Sequence, residues 1–148
     1  MTKRILIVED DDDIASIEKD YLEVSGYEVH VEEDGAKGLS EALTGIYDLF
    51  LLDVMLPNMD GFEICRKLRD KTDKPIMLVT AKREDIDKIR GLGYGADDYI
   101  AKPFSPGVLV AKVKAQLAQY DRLRGTKRET KRITLGDIML EPDTRRVW

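Results

Sequence analysis

Five side chains of this sequence stand where apolar runs stop, and their types suit one kind of chemistry. Glu9 and Asp10 follow Ile5-Leu6-Ile7-Val8, and Asp53 ends Leu49-Phe50-Leu51-Leu52. Thr80 ends Pro75-Ile76-Met77-Leu78-Val79, and Lys102 follows Asp98-Tyr99-Ile100-Ala101. Three carboxylates brought together repel. At about 4 Å and an effective dielectric near 20, each pair costs on the order of 4 kcal/mol. A cation between them relieves this, and hard divalent cations such as Mg²⁺ take oxygen ligands, commonly one or two carboxylates with waters and a phosphate. One carboxylate can then also be a nucleophile that accepts a phosphoryl group. The charge arriving on the phosphoryl oxygens needs a cation and a hydroxyl or N–H donor. Lys102 and Thr80 are of those types. Each residue alone has an ordinary reading: Asp before the turn Asn58-Met59-Asp60-Gly61 is a turn former, Thr is common in strands, and Lys is usually on the surface. Their recurrence at successive run ends is what points to a site.

The elements that would carry them alternate. Runs over 4–8, 27–31, 48–53, 75–80 and 98–101 read as strands. Helices are expected after the acidic run Glu9 to Asp13 up to Gly26, over 36–43, 62–68 and 84–92, and from Ser105-Pro106 to about Tyr120. In the first helix the apolar positions are Ile14, Ile17, Tyr21, Leu22 and Val24. Five β-α units specify a parallel sheet with right-handed crossovers. The second strand alternates Tyr27, Val29 and Val31 with Glu28, His30 and Glu32, the mark of an edge strand, whereas the others are continuously apolar. The resulting order is 2-1-3-4-5, a flavodoxin-like doubly wound (βα)5 fold. Its switch point between strands 1 and 3 brings Glu9, Asp10 and Asp53 into one crevice.

The 148 residues hold 43% hydrophobic and 36% charged residues, the composition of a folded water-soluble domain. No apolar run approaches the roughly 20 residues of a membrane span, and Met1-Thr2-Lys3-Arg4 precedes too short a run for a signal peptide. One cysteine, Cys65, leaves no intramolecular disulfide and suits a cytoplasmic location. One His (His30) with one Cys does not build a zinc site. Charge is uneven: residues 1–121 carry a net −9, 122–132 a net +5, and 133–148 a net −1. An acidic domain is followed by a basic linker. Beyond it, Ile133 to Glu141 reads as strand, tight turn and strand, a short C-terminal β extension too small to bury a core.

Glu9-Asp10, Asp53, Thr80-Ala81 and Lys102-Pro103-Phe104, with Leu52 to Gly61 and Gly95-Ala96-Asp97-Asp98-Tyr99, resemble the signature of a bacterial response-regulator receiver domain over residues 3–121. The segment Ile133 to Pro142 resembles the first strands of the winged-helix DNA-binding domain of the OmpR/PhoB-type subfamily. The resemblance implies a receiver over 1–121, a linker over 122–132 and the start of a winged-helix domain over 133–148. It implies that Asp53 accepts a phosphoryl group from a sensor histidine kinase with Mg²⁺. The ion would be held by Asp10, Asp53 and the backbone carbonyl of Met55, with Glu9 acting through water. Thr80 would bond the phosphoryl group, Lys102 would pair with it across a cis Lys102-Pro103 peptide, and Tyr99 would be the aromatic switch. The chain would be a switch with self-phosphorylation and autodephosphorylation chemistry, not a turnover enzyme. On phosphorylation it would form a homodimer through helix 4, strand 5 and helix 5, where Lys88, Asp98 and Lys112 suit cross-subunit ion pairs. Val108, Gln119 and Tyr94 depart from the polar or charged residues usual there, which implies a weaker or more apolar dimer. Promoter DNA would be a partner of the full-length parent only, because no recognition helix precedes Trp148.

Rival readings fit less well. A flavodoxin-type electron carrier needs a loop after strand 1 that cradles phosphate, and Glu9 to Asp13 would repel it. A dehalogenase-type phosphatase wants an acid two residues after Asp53, where Met55 stands. A calcium loop from Asp11 lacks glycine at Ser16. A receiver-like module working without phosphate would have lost some of these groups.

Overall fold

Each run of four or five apolar residues becomes a strand buried on both faces. In the computed structural model, which describes residues 2–81 and 95–136 with side chains as far as Leu123, the strands are β1 (Arg4–Val8), β2 (Glu28–Glu32), β3 (Leu49–Asp53), β4 (Ile76–Thr80) and β5 (Asp98–Ala101). All pairings are parallel and the order is β2-β1-β3-β4-β5. The edge position expected for β2 from its alternation is the one it takes. Helices α1 (Asp12–Val24), α2 (Gly35–Ala42) and α3 (Gly61–Arg69) and a C-terminal helix (Pro106–Gly136) complete the described elements. The expected helix over 84–92 lies outside the described residues.

Alternate residues of each strand face opposite ways, so the sheet has two cores. On one face Leu6, Val8, Phe50, Leu52, Ile76 and Leu78 pack with Ile64, Cys65 and Leu68 of α3. On the other, Ile5, Ile7, Leu49, Leu51, Met77 and Val79 pack with Leu22 of α1 and with Leu109, Val113 and Leu117 of the C-terminal helix, spaced four apart. Contact clustering separates two units, Met1–Leu117 and Ala118–Trp148.

Acidic residues cap α1, α2 and α3. Asp11 accepts from the N–H groups of Asp13 and Ile14, Asp34 from that of Lys37 and Asp60 from that of Glu63, at 2.8–3.2 Å. The five-acid run is thereby divided: Glu9 and Asp10 go to the sheet edge, Asp11 caps α1, and Asp12 and Asp13 sit in its first turn, where the helix dipole favours them. Gly61 is required at the start of α3, because a Cβ there would lie 2.3 Å from the carbonyl oxygen of Asp53.

Two expectations change. The buried face of α1 is Ala15, Glu18 and Leu22, while Ile17, Tyr21 and Val24 are exposed. Of the apolar positions read in this helix Leu22 is buried, and an acid, Glu18, shares its core face. The C-terminal helix runs on to Gly136 instead of ending about Tyr120. The backbone of the expected basic linker over 122–132, and that of 133–136 at the expected start of a strand, is helical. No proline interrupts this stretch, and its Lys, Arg, Leu and Glu residues are good helix formers. Residues 137–148 lie outside the described residues.

Candidate functional site

The parallel sheet delivers every strand's carboxyl end to one edge, and the register fixes which side chains meet there. Asp53 pairs with Val79, and Thr80 with Ala101. Backbone bonds continue the ladder past the strand ends: the Val54 N–H donates to the Val79 carbonyl at 2.9 Å, and the Lys102 N–H to the Thr80 carbonyl at 2.7 Å. Asp53, Thr80 and Lys102 therefore sit on three neighbouring strand ends. Glu9 arrives from β1 on the other side of β3.

Glu9, Asp53 and Thr80 are buried, whereas Asp10 is exposed at the rim. The Lys102 Nζ lies 3.0 Å from Glu9 Oε1 and 3.1 Å from Asp53 Oδ2. Asp53 Oδ1 accepts from the Met55 N–H at 3.1 Å, and Glu9 Oε2 from the Asp11 N–H at 3.2 Å. Burial, reinforced by a hydrogen bond shared with Asp53, pushes the Glu9 carboxyl up to about 7 even though Lys102 opposes the shift. Burial works against the charge on Lys102, but its bonds to Glu9 and Asp53 outweigh it and hold the ammonium above its ordinary value. Carboxylate oxygens of Glu9, Asp10 and Asp53 lie within 4.8 Å of one another. This all-oxygen donor set fits a hard divalent cation such as Mg²⁺.

Of the other residues singled out from the sequence, Tyr99 is buried on β5 with Leu68, Ile76 and Leu78, and the Lys102–Pro103 peptide is cis. Asp98 and Lys112 are brought together within the chain, with Nζ to Oδ2 at 3.4 Å. Lys88 and Tyr94 lie outside the described residues.

The response regulator receiver domain family matches residues 5–114. The chain belongs to this family. Among its relatives, response regulator ArlR of Staphylococcus saprophyticus is 51% identical over 117 residues, which are 79% of this chain and 53% of that protein. ArlR of Staphylococcus epidermidis is 51% identical over 113 residues, 76% of this chain and 52% of that protein. These relatives fit the OmpR/PhoB-type grouping. The chain spans about half the length of the curated relatives it matches. Its fold is that of the CheY-like receiver domain protein of Methanospirillum hungatei, at TM-score 0.76 and 34% identity, covering 82% of this chain and 98% of that one. It also matches the BeF3-activated N-terminal receiver domain of Klebsiella pneumoniae RstA, at TM-score 0.72 and 37% identity, covering 78% and 98%. Receiver domains are signalling switches that typically bind Mg²⁺ at an acidic pocket, and they imply a histidine kinase partner.

One residue near the receiver pocket escaped the sequence reading. Glu18 is as buried as Glu9, and neither of its oxygens has a hydrogen-bond partner among the described residues. Burial, with Glu9 as a secondary cause, pushes its carboxyl up to about 8. The signal was its spacing of three and four residues from Ala15 and Leu22.

Proposed function

We propose that Asp53 is the phosphoacceptor of a two-component switch, charged by a phosphohistidine on a sensor kinase. The observation that carries this is the Lys102 ammonium held between Glu9 and Asp53 at the end of β3. An Asp53 carboxylate oxygen attacks phosphorus, the P–N bond breaks, and its electron pair leaves with the imidazole. The Met55 N–H orients the carboxylate through Oδ1. Lys102 pairs with a phosphoryl oxygen, and the Thr80 hydroxyl donates to another. Asp10, Asp53 and the Met55 carbonyl would hold Mg²⁺, with Glu9 acting through water, and the ion supplies charge neutralisation at the phosphoryl oxygens. One phosphoryl group is transferred to Asp53 per activation, so this is a switch with self-phosphorylation and autodephosphorylation chemistry and not a turnover enzyme.

Thr80 moving towards the phosphoryl group changes the packing of Tyr99, which lies on the neighbouring strand opposite Leu78. The output is a homodimer through the segment over 84–92, β5 and the C-terminal helix, with Lys88, Asp98 and Lys112 at its face. Because Asp98 and Lys112 already pair within the chain, a cross-subunit pair replaces one ion pair with another and adds little. Exposed Val108 then makes the interface more apolar than is usual in the subfamily. Residues 1–121 act as the receiver, 122–132 as connector, and 133–148 as the start of a winged-helix domain through which the full-length cytoplasmic regulator binds promoter DNA.

The test is intact mass after incubation with acetyl phosphate and Mg²⁺. One phosphoryl adduct is expected on the wild type, none on Asp53→Ala, and none when the divalent ion is chelated. An adduct that survives in Asp53→Ala would overturn the assignment. For the dimer, a beryllofluoride-treated chain that sediments as a monomer at high concentration would count against the interface.

A further inference from the structure

We propose that His30, Glu32 and Glu41 form a second metal site, for a zinc-class divalent transition ion, on the edge of the sheet away from Asp53. Chain composition with one His and one Cys argued against zinc, but zinc also accepts carboxylate oxygens. The fold supplies them. His30 and Glu32 are two apart on β2, so their side chains leave the same face of the edge strand. Glu41, in the last turn of α2, comes over that face. One ligand atom from each residue lies within 4.8 Å of the other two. The His30 Nε2 and Glu32 Oε2 are 2.7 Å apart and share a hydrogen bond. Around a zinc ion with bonds of about 2.0–2.2 Å, neighbouring ligand atoms sit about 3–4 Å apart, so small side-chain rotations convert the cluster into a chelate.

Three features favour a metal over a plain ion pair. A neutral imidazole and two carboxylates balance a divalent charge. The Tyr47 hydroxyl donates to Glu41 Oε1 at 2.6 Å, the outer support that fixes a ligating carboxylate and leaves Oε2 for the ion. A surface cavity of about 400 Å³ adjoins Glu32 and Glu41, giving room for a water in the fourth position. Lys37 also lines this cavity and is the competing cation for the carboxylates. The imidazole nitrogen separates this site from the all-oxygen set at Asp53, since nitrogen ligands favour zinc, cobalt, nickel and copper over magnesium. An ion here would clamp the edge strand to α2. The Glu32 carbonyl accepts from the Glu9 N–H at 3.0 Å, so the backbone of the strand that carries the site is bonded to the residue that follows β1.

His30 is the sole histidine of the chain, so its ring signals report one residue. The experiment titrates ZnCl₂ into the full chain in excess Mg²⁺ and follows the imidazole by NMR, with calorimetry for the variants. One equivalent should move the ring signals to saturation. His30→Gln should abolish binding. Glu41→Gln and Tyr47→Phe should each weaken it about 10-fold or more. Asp53→Ala should bind as the wild type does. Unmoved ring signals at stoichiometric zinc would overturn the proposal. So would full affinity in Glu41→Gln, which would mean adventitious binding to a lone histidine. Loss of binding in Asp53→Ala would also overturn it, by placing the ion in the acidic pocket.

Discussion

Glu9 and Glu18 are equally buried acids, each 1% exposed, yet their surroundings differ. Glu9 has the Lys102 ammonium at 3.0 Å and a backbone N–H on its other oxygen. Glu18 has neither. Glu9 also has the harder neighbour, Asp53, which raises its pKa, and still its carboxyl reaches only about 7 where that of Glu18 reaches about 8. The Lys102 ammonium and the Asp11 N–H oppose the upward shift at Glu9 without cancelling it. Burial drives both acids towards their neutral forms, Glu18 further than Glu9.

Removing the cation should have the largest effect. Lys102→Ala leaves two buried carboxylates facing each other and removes the group that meets the phosphoryl charge. Phosphoryl uptake from acetyl phosphate should fall by about 100-fold or more, the cost typical of losing one such donor. Urea unfolding should show a loss of about 3 kcal/mol. Unchanged uptake would remove the distinction between the two acids.

Glu18→Leu should act in the opposite direction. A carboxyl with no hydrogen-bond partner among the described residues is replaced by an apolar group of similar size on the core face of α1, so stability should rise by about 2 kcal/mol at pH 7. The same variant isolates a pH effect. Glu18 titrates near 4.5 when unfolded and near 8 when folded, so the native state holds the extra proton between those values. Its contribution to stability is fully present below pH 4.5 and is lost as pH rises through 8. The slope is at most about 1.4 kcal/mol per pH unit. Glu9 adds a shift of the same sign up to about pH 7. Urea midpoints measured across this range should fall less steeply in Glu18→Leu than in the wild type.

The smallest effect belongs to the ion pair outside the pocket. Asp98 and Lys112 are part-exposed, so Lys112→Ala should cost no more than about 0.5 kcal/mol in urea. A cost comparable with that of Lys102→Ala would mean that exposure does not separate the two cations.

What the sequence disclosed follows from where side chains are forced by chain geometry. Asp53, Thr80 and Lys102 end strands, so a parallel sheet must gather them. Glu28, His30 and Glu32 interrupt β2, so that strand had to lie at the edge. Glu18 was illegible because only apolar positions were read in the first helix, and an acid is not expected on a core face although its spacing from Ala15 and Leu22 put it there. The His30 cluster was illegible because Glu41 joins it only through the packing of α2 beside β2, a contact between residues that no sequence spacing relates. The length of the C-terminal helix was missed because a run of Arg and Lys reads equally well as solvated linker or solvated helix.

The most direct test of the central claim is to trap the phosphoryl group where it lands. The chain is incubated with acetyl phosphate and Mg²⁺, reduced with borohydride to convert an acyl phosphate to homoserine, digested, and sequenced by mass spectrometry. Homoserine at position 53 and at no other acid is the expected result. Homoserine at Asp10, or 2-amino-5-hydroxypentanoic acid at Glu9, with Asp53 intact would contradict the account.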